Sequence, residues 1–327
     1  MNIPGFVDLQ VNGYKGTDFS SPTLTAEAFA QACREILGQG TAAFLPTIIT
    51  SPVAVYERNL RLMSDVMAQP EFDGRLPGIH VEGPFISPRA GAVGAHMPQW
   101  VLPPDTRLLA RFQERAHGRI KLLTIAAEQP GADELARRAV GMGITVSLGH
   151  QMAGEEDLAR LVKAGATALT HLGNGVPETL PRHANPIIAG LANDSLWAVM
   201  IADGHHLPPS LLKIILRTKG VSRVAVTSDQ TSLAGMPPGK YHLAGNDVVL
   251  EPSGRLHIPS RGCLAGSSAT MLVCMNHLAS LGWLSLEEME AAGFHNPLKI
   301  IGLDASAVKA EPRVKYDAAS RKFTLEP

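Results

Sequence analysis

Eight short apolar runs, rich in β-branched residues and separated by helical segments, constrain this chain more than anything else in it. They are GFVDLQVNG (5–13), TAAFLPTI (41–48), LPGIHVEG (76–83), IKLLTIAAE (120–128), GITVSLGH (143–150), ATALTHL (166–172), LWAVMIADG (196–204) and SRVAVTSD (222–229). Strand–helix alternation of this kind is the pattern of parallel βα units. Eight is the number that closes a barrel whose interior is filled by side chains. The intervening segments read as amphipathic helices. Ala26, Phe29, Ala30, Cys33, Ile36 and Leu37 recur at helical spacing before Gly38 and Gly40, and Pro208 and Pro209 open a helix that Gly220 closes. The predicted fold is α/β, a (β/α)8 TIM-like barrel with a small, reduced β-rich extra. Residues 1–238 supply barrel strands and helices, 239–260 a β-hairpin insertion with turn signals at Gly245-Asn246 and Ser253-Gly254, 261–310 the last barrel helices, and 311–327 a short β tail.

Composition suits a fold with an internal ring of strands: 45% of the 327 residues are hydrophobic and only 18% charged. Lys plus Arg (29) balance Asp plus Glu (30), which argues against a nucleic-acid partner. No run approaches the ~18 apolar residues of a membrane span, and MNIPGFVDLQ lacks the basic start and apolar core of a signal peptide. Cys33, Cys263 and Cys274 are scattered and odd in number, which fits small buried thiols in a reducing, cytoplasmic setting.

Barrel enzymes gather reactive groups at the C-terminal ends of their strands, and these runs end in such groups. The first ends Gln10-Val11-Asn12, the third His80-Val81-Glu82, the fourth at Glu128, the fifth at His150, the sixth at His171, the seventh Asp203-Gly204-His205-His206 and the eighth at Asp229. Ionisable groups packed into a barrel mouth destabilise it unless they are paired or bind a metal. Glu128, His150 and His171 lie on consecutive runs about 20 residues apart. Neighbouring strands stand about 4.8 Å apart, so the three tips can converge on one ion, and two imidazoles plus a carboxylate form a catalytic zinc set with an open position for water. Asp229 is the expected proton carrier beside it; a helix N-cap is the bland alternative for the same residue.

Taken together, PGFVDLQVNG (4–13), HVEGPF (80–85), GAH-x-P (94–98), AAE (126–128), GH (149–150), THL-x-N (170–174), ADG-x-H (202–206), TSD (227–229) and LAGSS (264–268) resemble the N-acetylglucosamine-6-phosphate deacetylases of the amidohydrolase superfamily. The resemblance runs in order over most of the chain. It implies Glu128, His150 and His171 as metal ligands, Asp229 as catalytic acid/base, and His206 as a substrate contact. Asn174 and Gly175 would touch the sugar phosphate, Arg182 would bind it, and His96 would belong to a substrate loop. Gln10-x-Asn12 stands where many amidohydrolases carry His-x-His, so one tightly held divalent ion is expected, zinc first, with Fe(II), Mn(II) or Co(II) as alternatives. For Glu82 three readings stand: a group supporting the metal ligands, which is preferred, a ligand to a weak second ion, or an acceptor for backbone N–H groups. His183 and Asn185 are unfamiliar in the phosphate region.

The implied activity is hydrolysis of the N-acetyl amide of N-acetylglucosamine 6-phosphate, giving the amino sugar and acetate, in a homodimer whose neighbouring subunit helps to close the phosphate site. The shortened β segments before PGF and after NP (296–297) imply a reduced second domain. The competing readings are an amidohydrolase acting on an unphosphorylated N-acetylhexosamine or another N-acyl substrate, and a non-catalytic sugar-binding barrel.

Overall fold

The computed structural model describes residues 1–326. Its centre is an eight-stranded parallel sheet in which every strand pairs with the next in sequence. The strands are β1 (Phe6–Val11), β2 (Thr41–Ile49), β3 (Ile79–Glu82), β4 (Ile120–Ile125), β5 (Thr145–Leu148), β6 (Ala168–Leu169), β7 (Trp197–Ile201) and β8 (Val224–Thr227). All six residues of β1 and eight of nine in β2 are buried. Burial on both faces, by helices on one side and the barrel interior on the other, is why these runs are mostly apolar, with the few polar residues in them buried as well.

The sheet curls until its ends meet. Val11 and Gln230 form a parallel bridge, and the Asn12 N–H donates to Gln230 O at 2.7 Å. Below that bridge the Asp8 carboxylate stitches β1 to β8. It accepts hydrogen bonds from the Thr227 hydroxyl at 2.6 Å, the Ser228 N–H at 3.1 Å and the Ser228 hydroxyl. Burial raises the Asp8 pKa, opposed by these bonds. Asp8→Ala strands these three buried donors and the Gln10 N–H, which also donates to the carboxylate at 3.3 Å. It should lower the unfolding free energy by about 2–4 kcal/mol, seen as a lower urea midpoint.

The barrel is filled in layers. Ile300 and Ile301 seal the bottom, packing with Leu9, Leu45, Leu122, Ala168, Val199 and Ala225, and Thr145 Oγ1 donates to Ile300 O at 3.0 Å. Nearer the top lies a polar layer. His80 Nε2 meets Thr124 Oγ1 at 2.8 Å, Thr124 Oγ1 meets Thr170 Oγ1 at 2.8 Å, and Thr170 Oγ1 meets Ser147 Oγ at 2.6 Å. Burial brings the His80 pKa down to about 4, so this imidazole is neutral, a hydrogen-bonded floor beneath the mouth.

The insertion expected as a hairpin is a four-stranded antiparallel meander: Gly239–Leu243, Asn246–Leu250, Leu256–Ile258 and Cys263–Leu264. It forms a sheet because it buries a core of its own, Val248, Leu250, Leu256 and Ile258 against Leu233 and Ala265. The segment after it does not enter a helix at once. Beyond Leu264 the chain bends at Gly266, which takes φ 69°, and at Ser268, and the helix Met271–Ser280 begins only after Thr270. In the tail, Val314–Asp317 pairs with both Lys322–Leu325 and Asn2–Ile3, and Phe323 meets Phe6 edge-on at 5.3 Å. Cys33 and Cys274 are buried and Cys263 half-buried; all three are free thiols. Among the described residues, no helix is long and apolar enough to cross a membrane.

Candidate metal and active site

Three strands end in the same way. His150, His171 and Asp229 each stand two residues past the last residue of β5, β6 and β8. Each takes a left-handed backbone, at φ 48°, 30° and 51°. Side chains other than glycine rarely adopt this conformation, and it persists only where the surroundings enforce it. The effect is to turn all three side chains over the barrel mouth. Glu82 reaches the same place as the last residue of β3.

These side chains converge on one point. His171 Nε2 lies 2.9 Å from Glu82 Oε1, His150 Nε2 lies 3.2 Å from the same oxygen, and the two Nε2 atoms are 3.1 Å apart. All three residues are buried. Three lone pairs cannot share a buried point without a positive charge among them. Burial raises the Glu82 pKa, but hydrogen bonds from His150 and His171 outweigh it and hold the carboxyl well below its usual range. Burial lowers the His150 pKa, but its contact with Glu82 outweighs this, and the net shift is upward. Donor atoms around a four-coordinate zinc at ~2.0–2.2 Å stand roughly 3.3 Å from one another, close to the spacing found here. His150 is also set for ligation. Its Nδ1 lies 2.8 Å from Ala92 O, so Nδ1–H donates there and Nε2 is the nitrogen left to face Glu82 or, once deprotonated, a cation. The donor set fits a single divalent cation.

Glu128, expected as the third ligand, is not part of this group. β4 stops at Ile125, and the chain enters a turn at Ala127 and Glu128. Ala126 N–H bonds to Phe85 O, Ala127 N–H to Gln151 Oε1, and Glu128 Oε1 accepts from Met152 N–H at 2.9 Å. Glu128 holds the loop that carries His150, while Glu82, read from sequence as a supporting group, stands among the donor atoms. The signal lay in the strand ends: Glu82 is followed at once by Gly83, at φ 83°, whereas Glu128 is one residue further from its strand than His150 or His171.

Asp229 faces the cluster from the seam. Its Oδ1 accepts from Gln10 Nε2 and Asn12 Nδ2, both at 2.8 Å. The amides expected merely to stand where a second metal would bind therefore grip the carboxylate instead. Burial, then the Glu82 charge, raises the Asp229 pKa to about 6. His96 closes another side. Thr50 N–H and Oγ1 approach its Nδ1 at 3.3 and 2.8 Å, and its Nε2 lies 3.7 Å from Glu82 Oε2. Burial, then the neighbouring His150, lowers its pKa to about 3 and keeps it neutral.

A cavity of about 510 Å³ opens above these groups. Its wall includes Asn12, His96, Asn174, Gly175, His206 and Asp229. Gly175 has φ 64°, and a Cβ there would fall 2.9 Å from His150 Nδ1, so only glycine allows the loop after β6 to lie this close. Arg182 and His183 are exposed and outside the cavity wall. Asn185 explains part of this unfamiliar stretch. It caps the helix Pro186–Ala192, accepting from Ile187 N–H and Ile188 N–H, and its amide donates to Pro181 O. Among the described residues, Arg255 of the β insertion is the only Lys or Arg lining the cavity, and it pairs with Glu251 at 3.0 Å. Sequence reasoning did not single it out, because an arginine in a hairpin carries no local motif.

A parallel barrel with two histidines, a glutamate and a facing aspartate at its mouth is the architecture of a metal-dependent hydrolase, and the chain belongs to the amidohydrolase family, which it matches over residues 1–309. Within that family it groups with the N-acetylglucosamine-6-phosphate deacetylases. It is 33% identical over 313 residues to that enzyme of Danio rerio, covering 92% of this chain and 75% of the relative. It is 34% identical over 315 residues to that of Homo sapiens, covering 93% and 75%. A similar solved structure is an Asp-to-Ala mutant of N-acetyl-D-glucosamine-6-phosphate deacetylase from Mycobacterium smegmatis, in complex with N-acetyl-D-glucosamine-6-phosphate. Its TM-score is 0.88 at 26% identity, and the match covers 99% of this chain and 85% of that one.

Proposed function

We propose that this protein hydrolyses the N-acetyl amide of N-acetylglucosamine 6-phosphate, releasing acetate and the amino sugar. The observation that carries the reading is the meeting of Glu82, His150 and His171 opposite Asp229 on the wall of one cavity. Glu82, His150 and His171 would hold one divalent cation, zinc first. When bound, it supplies Lewis-acid polarisation of the amide carbonyl and eases deprotonation of water. Asp229 takes the proton from the attacking water and returns it to the amine as the C–N bond breaks, so one carboxylate serves as base and then as acid. Gln10 and Asn12 keep it aimed throughout. His206 meets the substrate across the cavity, and Asn174 and Gly175, on the cavity wall, touch the sugar phosphate. We place the protein in the cytoplasm, as a homodimer.

An acid/base group must be ionised to accept the first proton. With the Asp229 pKa raised to about 6, kcat should fall as pH drops through that value, and a cation bound opposite shifts the limb lower. The pH–rate profile should therefore show an acid limb at or below about pH 6, absent from the residual activity of Asp229→Asn.

The deciding experiment measures acetate release from N-acetylglucosamine and N-acetylgalactosamine, each with and without 6-phosphate. The expected result is a kcat/KM for N-acetylglucosamine 6-phosphate at least ~100-fold above its unphosphorylated form, as charge-assisted contacts to a phosphate imply. Equal rates would move the assignment to an unphosphorylated N-acetylhexosamine. No release from any of the four would overturn it.

A further inference from the structure

The LAGSS segment (264–268) carries no ligand and no proton in the reading above, yet it lies across the barrel mouth. Ser267 bridges to Gln230 in parallel, as Gln230 does to Val11, so the three form a lip above the seam. Ser267 N–H donates to Asp229 O at 2.9 Å, and Ser267 O accepts from Thr231 N–H at 2.8 Å. Its hydroxyl points the other way and donates to Asp203 Oδ2 at 2.8 Å. Ser267 is 2% exposed.

Asp203 uses all its near lone pairs in this region. Oδ1 accepts from His205 N–H at 2.8 Å and His206 N–H at 2.9 Å, and Oδ2 accepts from His206 Nδ1 at 2.8 Å beside the Ser267 hydroxyl. Burial raises its pKa, but the hydrogen bond from His206 outweighs this, so the group stays ionised. With Nδ1–H committed to Asp203, His206 can present only Nε2 to the cavity.

We infer that Ser267 and Asp203 are positioning residues: together they tie the His206 ring, after β7, to the backbone that carries Asp229, after β8. Neither makes up the donor cluster. They fix the tautomer and place of one substrate-facing group relative to another, across two strands. The inference rests on the reading of His206 and Asp229 as the groups that meet substrate. Without the hydroxyl, Asp203 loses its only tie to the lip, and the loop 203–206 is free to shift relative to Asp229.

The test is a double-mutant cycle on the metal-loaded enzyme. Ser267→Ala should lower kcat/KM for N-acetylglucosamine 6-phosphate by about 10- to 100-fold, the range for a hydrogen bond to a charged group. In a His206→Asn background the same change should cost less than about threefold, because coupled residues are not additive. A general structural role predicts the same loss in both backgrounds, and that result would overturn the inference. An independent readout comes from ¹⁵N-histidine spectra, with the His206 signal assigned by its absence in His206→Asn. Nδ1 of His206 should be protonated in the parent, with that state weakened in Ser267→Ala and lost in Asp203→Asn. Unchanged His206 spectra in both variants would also overturn it. If the parent releases no acetate at all, the deacetylase reading falls and the spectra alone decide the clamp.

Discussion

Replacing Asp229 by Asn lowers kcat by about 10²- to 10⁴-fold, the span attributed to a positioned general acid–base group, while leaving the bound metal unchanged. The separation of the two readouts follows from the geometry. Asp229 contributes no atom to the cluster of Glu82, His150 and His171, so metal analysis of the variant should match the parent. The asparagine fits the same space, and its carbonyl can still accept from the Gln10 and Asn12 amides, so folding should survive. What is lost is the capacity to accept a proton and hand it on. Metal-replete protein with near-parental kcat would remove Asp229 from the mechanism.

Glu82→Gln and Glu128→Gln should part company. Glu82→Gln removes the anionic donor shared by two imidazoles. Metal affinity should fall by more than ~100-fold, beyond the 10- to 100-fold typical when a group behind a ligand is removed, and activity should fall with it. In Glu128→Gln the side-chain oxygen can still accept from Met152 N–H. That variant should keep its metal and lose less than about 1 kcal/mol of stability, as befits one exchanged hydrogen bond. Titration of both proteins with zinc against a competing chelator decides the matter. Metal loss in Glu128→Gln and retention in Glu82→Gln would restore Glu128 as the ligand.

That exchange of glutamates marks how far the sequence could be read. The barrel was legible because strands buried on both faces leave largely apolar runs, and each of the eight runs coincides with a barrel strand to within a few residues. His150, His171 and Asp229 were legible because each stands at or next to the end of its run. Glu128 also seemed to close a run, but IKLLTIAAE stops being strand at Ile125. Alanines continue an apolar pattern without prolonging a strand, so composition hides the point where the chain turns away. The grip of Gln10 and Asn12 on Asp229 was invisible for another reason. It joins residues 219 and 217 positions apart, and depends on the barrel closing with one register. Arg182 shows the converse: a motif-like position gives no information on where a loop carries its side chain.

The seam has a consequence for how function is acquired. Glu82, His150 and His171 stand at the ends of β3, β5 and β6, the middle of the chain, whereas Asp229, past the end of β8, is held by Gln10 of β1 and by Asn12 just beyond it. Long-range closures of this kind carry the largest loop entropy and tend to form late. A folding intermediate with its central strands in place would already own the ion-binding cluster while its acid/base remained unaimed. In such an intermediate cation affinity would precede turnover, and only turnover would report that the first and last strands had found each other.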